Sequence, residues 1–156
     1  RELGTLIARS GHPLVTGAGN RGLMGEINDA CLEAGGTAVG VIPRFMVEHG
    51  WQHDRLSQLI VTPDMHVRKE KMAQMACAAI ALPGGCGTFE ELLEIITWRQ
   101  LGLFDGNVVI LNTSGYYDPL LEMLQKAHDM NFMRPADRPL WLVADTPLRA
   151  LCLALD

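Results

Sequence analysis

Two kinds of apolar pattern alternate along this chain. Short unbroken runs at Pro13–Thr16, Thr37–Ile42, Leu59–Thr62, Ala78–Leu82, Asn107–Leu111 and Leu140–Ala144 have the length of buried strands. Between them lie longer stretches whose apolar residues recur three and four positions apart. They predict helices over Arg1–Ser10 (Leu3, Leu6, Ile7; ended by Gly11), Leu23–Ala34, Asp64–Cys77 and Tyr116–Asn131, with another after the glycines at 84–87. Asp145-Thr146-Pro147 predicts a capped C-terminal helix with proline at its first position. Strands alternating with helices give an α/β fold, a doubly wound Rossmann-like parallel sheet with helices on both faces. Such a sheet normally opens on a strand, whereas this chain opens on a helix. The pattern therefore predicts one domain over residues 1–156, with the first strand and its loop missing.

Two glycine-rich turns stand between a strand and a helix. Gly17-Ala18-Gly19-Asn20-Arg21-Gly22 has the G-x-G-x-x-G form. A dinucleotide site also wants an acid after the next strand to hold a ribose diol, but that strand runs into Pro43-Arg44. The turn suits a mononucleotide or sugar phosphate better, or else only close helix–strand packing. The second turn is Pro83-Gly84-Gly85-Cys86-Gly87-Thr88, after the continuously apolar Ala78–Leu82, which reads as a buried strand. Residues without a Cβ allow tight turning and close approach, and amides at a helix N-terminus attract anions. Thr88 is placed to cap the helix, with Glu90 and Glu91 in its first turn beside the dipole's positive end.

Adjacent helical residues diverge by about 100°, so Glu90 and Glu91 cannot share one role. Glu90, Glu94 and Thr97 lie along one flank, and Glu91 lies nearer Glu94 and Trp98. Periodicity alone does not choose between them. Arg68 and Lys69 are either a solvated face with Glu70 or, for Arg68, a planar cation near a carboxylate and a phosphate or ribose oxygen. Pro43–Asp54 reads as an irregular loop whose Glu48 is either solvated or a ligand contact. His49 and His53 lack a third ligand, so no metal site is predicted. Cys86 at a helix start invites a nucleophile reading, but no histidine lies nearby in sequence as its base.

Composition narrows this further. A net charge of −5 and only three lysines (Lys69, Lys71, Lys126) argue against a nucleic-acid surface. No apolar run reaches membrane-spanning length. The four cysteines lack metal-type spacing and fit reduced thiols in a cytoplasm.

Several ordered motifs combine into a resemblance. Met65-His66-Val67-Arg68-Lys69 is followed by P-G-G-x-G-T-x-E-E at Pro83–Glu91 and L-L-E-x-x-T-W-x-Q-L-G at Leu92–Gly102. With Gly17–Gly25, Val41-Ile42-Pro43, Gly115–Leu121 and Phe132-Met133-Arg134-Pro135, this resembles the Lonely Guy family, long misnamed lysine decarboxylases. The resemblance implies hydrolysis of the N-glycosidic bond in cytokinin riboside 5′-monophosphates, and often AMP, without a cofactor. It favours Glu91 over Glu90 and implies Arg68 and Glu91 as catalytic residues. Pattern and resemblance together give Gly17, Gly19, Glu48, Lys69, Gly84, Gly85, Cys86, Gly87, Thr88, Glu90 and Thr97 as substrate-binding candidates. The resemblance also implies a homodimer or larger assembly, with Met72, Met75, Trp98 and Leu101 as candidate contacts. One rival is a non-catalytic binder, like the carriers of a phosphorylated pterin (molybdenum) cofactor in the wider superfamily. Another is a pyridoxal-phosphate lysine decarboxylase, which needs a Schiff-base lysine with an acidic partner; near the motifs only Lys69, beside Lys71, is available.

Overall fold

The structure, a computed structural model, describes all residues 1–156 and divides into two compact units, Arg1–Ala76 and Cys77–Asp156. In the first, α1 (Glu2–Arg9), β1 (Leu14–Thr16), α2 (Gly22–Glu33), β2 (Ala38–Pro43), α3 (Arg44–Glu48), β3 (Gln58–Thr62) and α4 (Met65–Met75) follow in order. The strands form a parallel sheet in the order β1-β2-β3, with Val15 opposite Val39 and Ile42 opposite Val61. The central strand β2 is buried along its whole length, as its unbroken apolar run requires. Helix α1 lies close on α2 because Gly4 has no side chain: a Cβ there would stand 2.5 Å from the Ile27 carbonyl oxygen. Asp64 caps α4 by accepting from the His66 and Val67 amides at 2.8 and 2.9 Å.

The second unit holds β4 (Ala78–Ala81), α5 (Cys86–Gln100), β5 (Asn107–Leu111), a 3₁₀ turn (Thr113–Gly115), α6 (Asp118–Asp129), β6 (Leu142–Ala144) and α7 (Pro147–Leu155). Its parallel sheet runs β4-β5-β6. Val108–Leu111, Leu92, Ile96, Ala150, Leu151 and Ala154 make its core. Thr146 caps α7 through the Arg149 amide, with Pro147 at the first helical position, as the sequence predicts. Buried Arg99 ties loops together: Nε donates to the Pro139 carbonyl at 2.9 Å, and the two Nη groups reach the Asp105 and Gly106 carbonyls and Asn107 Oδ1.

All six predicted strands are present and parallel, in two three-stranded sheets with helices around them. Three expectations need correction. Pro43–Asp54 is not wholly irregular, since Arg44–Glu48 forms α3, with Pro43 supplying the extended residue before it. Strand β4 is half-buried rather than buried, because it lies at the edge of its sheet. Helix α5 begins at Cys86, so Thr88 is its third residue and not its cap, and no acid falls in its first turn. No helix is long and apolar enough to cross a membrane.

Candidate functional site

In the first unit the chain leaves β1 through Gly17-Ala18-Gly19. Ala18 takes a left-handed conformation (φ 65°) and is fully buried, its methyl fitting where Gly40 leaves room. The turn's amides have acceptors of its own neighbourhood: Ala18 N–H donates to Thr16 Oγ1 at 3.2 Å, and Gly19 N–H to Met24 Sδ at 2.9 Å. Thr16 Oγ1 donates in turn to Oδ1 of fully buried Asn28. The carbonyls are held as well. The His53 amide donates to Ala18 O at 2.7 Å, and Gln52 bridges Gly19. The buried His53 ring accepts the Arg55 amide at Nδ1, so Nε2 carries the hydrogen given to Asp29 Oδ1 at 2.8 Å. The Asp29 carboxyl is held below the usual carboxylate range, first by that hydrogen bond and then by the Arg55 guanidinium, against the opposing effect of burial.

Arg68 and Lys69 on α4 are buried, so the solvated-face reading of these two residues fails. Arg68 Nε donates to the Val41 carbonyl at 3.0 Å, and its guanidinium lies against Gly17, where a Cβ would overlap Nη2. This contact explains why position 17 is glycine. Glu48 ends α3 and is exposed.

In the second unit β4 leads through Leu82-Pro83-Gly84 to Gly85, the residue before α5, which offers no side-chain cap. The first amides of a helix have no intrahelical acceptor. Those of Cys86, Gly87 and Thr88 therefore form the anion-attracting end expected from the sequence. A Cβ on Gly84 would overlap Thr88 Oγ1, so the threonine packs on the turn. Two tyrosines hold the turn's carbonyls: Tyr116 Oη donates to Gly84 O at 2.6 Å and Tyr117 Oη to Leu82 O at 2.5 Å. Tyr117 is 1% exposed, and burial, followed by the neighbouring Tyr116, raises its hydroxyl pKa.

Further along α5, Leu92 and Ile96 face the core, Glu91 and Glu94 are half-buried, and Glu90 and Thr97 are exposed. The Thr97 hydroxyl donates back to the Leu93 carbonyl at 2.8 Å. Glu90 and Glu91 lie beyond the first turn, where the helix dipole's effect has fallen off, so dipole complementation does not account for them. Cys86 is exposed at the helix start. A groove between α6 and β6, lined by Leu121, Glu122, Gln125, Lys126, Trp141 and Val143, contains none of the expected residues. Of the candidate assembly contacts, Met72, Met75 and Trp98 are half-buried and Leu101 is exposed.

Within the first unit the structure brings together Gly17, Gly19 and Arg68; within the second it brings together Gly84, Gly85 and Thr88, with Glu91 on the following turn of the helix. Sequence reasoning missed His53, Asp29, Tyr116 and Tyr117 as the groups that hold the two turns. The Tyr116-Tyr117 pair after a strand was the available signal, but only a folded chain shows which carbonyls it meets.

Residues 24–153 match the model of the family described as possible lysine decarboxylase. The chain is 42% identical to the probable cytokinin riboside 5′-monophosphate phosphoribohydrolase LOGL2 of Oryza sativa subsp. japonica, over 94% of this chain and 60% of that protein. It is 45% identical to the phosphoribohydrolase LOG5 of Arabidopsis thaliana, over 84% of this chain and 58% of the other. Identity to the cytokinin riboside 5′-monophosphate phosphoribohydrolase of Rhodococcoides fascians is 47%, over 87% and 69%. This chain thus spans about three fifths of the length of the first two relatives. Among solved structures it resembles the molybdenum cofactor carrier protein of Chlamydomonas reinhardtii, with a TM-score of 0.68 and 28% identity over 97% of this chain and 80% of that one. The molybdenum cofactor binding protein of Rippkaea orientalis shares the fold, with a TM-score of 0.72 at 24% identity over 97% and 81%.

Proposed function

We propose that this chain, which belongs to the possible lysine decarboxylase (Lonely Guy) family, hydrolyses the N-glycosidic bond of a purine riboside 5′-monophosphate. The products are the free base and ribose 5-phosphate, and AMP and cytokinin riboside monophosphates are the substrates to test. The observation that carries this reading is the start of α5: uncapped amides after a glycine turn, and the half-buried carboxylate of Glu91 on the next turn. Relatives 42–47% identical that bear the phosphoribohydrolase name support the reaction class.

In this reading the amides of Gly85 to Thr88 receive the phosphate. Departure of the base leaves positive charge on the ribose, and a carboxylate stabilises charge that grows in the transition state. Glu91 takes a proton from the attacking water as its oxygen bonds to C1′ and the C1′–N bond breaks. The departing base takes up a proton, so the net reaction consumes one water. Arg68, fixed by its bond to the Val41 carbonyl, is a candidate catalytic cation to be tested by its own substitution. The Ala18 and Gly19 amides have internal acceptors, and Gly17 and Gly19 are further contacts to be tested. Glu48, Lys69, Cys86, Glu90 and Thr97 are further substrate contacts to be tested, as is assembly into a homodimer.

Glu91→Gln removes the base but keeps the shape. We expect adenine release from AMP to fall by about a thousandfold or more, with unfolding temperature unchanged. Turnover equal to that of the unaltered protein would remove Glu91 from the mechanism. The likeness to the Chlamydomonas carrier favours one alternative, a non-catalytic binder of a phosphorylated ligand. Chromatography after incubation with AMP separates the two: adenine with ribose 5-phosphate supports the hydrolase, while intact AMP with measurable affinity supports the binder.

A further inference from the structure

We propose that Tyr116 is a positioning residue whose hydroxyl fixes the Gly84–Gly85 peptide plane, so that the Gly85 N–H faces the substrate phosphate. This rests on the reading of Gly84–Thr88 as the phosphate cradle. Tyr116 Oη donates to Gly84 O at 2.6 Å from an element 32 positions away in sequence. In a planar trans peptide the carbonyl and the following N–H point in opposite directions. A donor that holds Gly84 O on one side therefore turns the Gly85 N–H to the other. A peptide flanked by two glycines has the widest choice of backbone conformation, so its orientation must be set from outside. Gly85 is the residue before α5, and its amide adjoins the uncapped donors of Cys86, Gly87 and Thr88.

The neighbouring tyrosine has a different task. Tyr117 Oη donates to the carbonyl of Leu82, but the next residue is Pro83, which has no N–H to present. Its ring is nearly fully buried and meets Phe89 and Tyr116 edge-on, with centroids 6.1 and 5.1 Å apart. The Tyr117 amide donates to Asn112 Oδ1 at 2.7 Å, which anchors the pair. Tyr117 thus supports the fold and locates Tyr116. Tyr116 is 48% exposed, so loss of its hydroxyl leaves no buried gap.

The test compares Tyr116→Phe with Tyr117→Phe, using ribose 5-phosphate as the calorimetric ligand and AMP as the substrate. Tyr116→Phe is expected to weaken ribose 5-phosphate binding about tenfold, the effect of one hydrogen bond to a charged group. KM for AMP should rise by the same factor, with kcat within about twofold and the unfolding temperature unchanged. Tyr117→Phe should lower the unfolding temperature and leave affinity near that of the unaltered protein. Unchanged affinity in Tyr116→Phe overturns the proposal, and so does a loss of affinity accompanied by the same thermal destabilisation as Tyr117→Phe. If the unaltered protein binds ribose 5-phosphate yet releases no adenine from AMP, the hydrolase reading fails while the affinity comparison still decides the role of Tyr116. If it binds no ribose 5-phosphate, both readings fail.

Discussion

The two glycine turns share one local design, strand then glycines then helix, yet they use their backbone polar groups in opposite ways. In the turn after β1, Ala18 and Gly19 donate inward, to Thr16 and Met24, and the Ala18 carbonyl is closed by the His53 amide. In the turn after β4, phenol hydroxyls hold the carbonyls from behind and the first helical amides carry no side-chain cap. The first is self-satisfied, and Arg68 and Met24 fill the space beside its glycines. The second keeps its donors for something outside itself. Glycine count cannot tell these apart; tracing each N–H and C=O to its partner does.

The largest expected effect tests the second turn. Gly84→Ala places a methyl 2.7 Å from Thr88 Cβ and overlapping its hydroxyl. The displaced turn should cost at least about a hundredfold in adenine release, since small misplacements carry penalties of that order. Gly85→Ala meets nothing within 4 Å and has φ −96°, so its fold and unfolding temperature should be retained. Equal thermal and kinetic losses in both variants would break the distinction.

The next effect tests the first turn. His53→Ala removes the ring that joins Asp29 to the Arg55 amide, leaving a buried gap. A loss of about 1–3 kcal/mol in chemical denaturation is expected. Unchanged stability would show that the turn holds itself without this tie.

The smallest effect is a pH dependence that only the first turn should show. The Asp29 carboxyl lies below its ordinary range, mainly through His53. A lowered carboxyl pKa stabilises the fold above the unfolded value, roughly 3.9, and this contribution fades as pH falls below it. Asp29→Asn should therefore be less stable near neutrality by about 1 kcal/mol or less, with the gap closing under acid. A gap that stays constant as pH falls well below the usual carboxylate range would assign the effect to packing. The tyrosine-held turn has no group that titrates in this range among its clamps.

Much of this was legible from the chain. Unbroken apolar runs gave the six parallel strands, and Thr146-Pro147 gave the start of α7, because both signals are local. Arg68 and Lys69 left two readings open in the sequence, since charged residues are ordinarily exposed, whereas these two are buried on α4. The start of α5 shifted because Gly85 ends the turn without a side-chain cap, so the eye falls on Thr88 instead. The tyrosine bonds span 32 and 35 positions, and no spacing rule reaches that far.

The dependence of Gly84 and Leu82 on Tyr116 and Tyr117 sets a rule for engineering. Pro83–Glu91 transplanted alone onto a foreign strand–helix junction would arrive without the donors that shape it. A useful graft must also import Asn112 to Asp118, whose Asn112 side chain receives the Tyr117 amide and donates to Asp118 at 2.7 Å. The portable unit is a pair of distant segments, and a designer who copies only the conspicuous motif copies half of it.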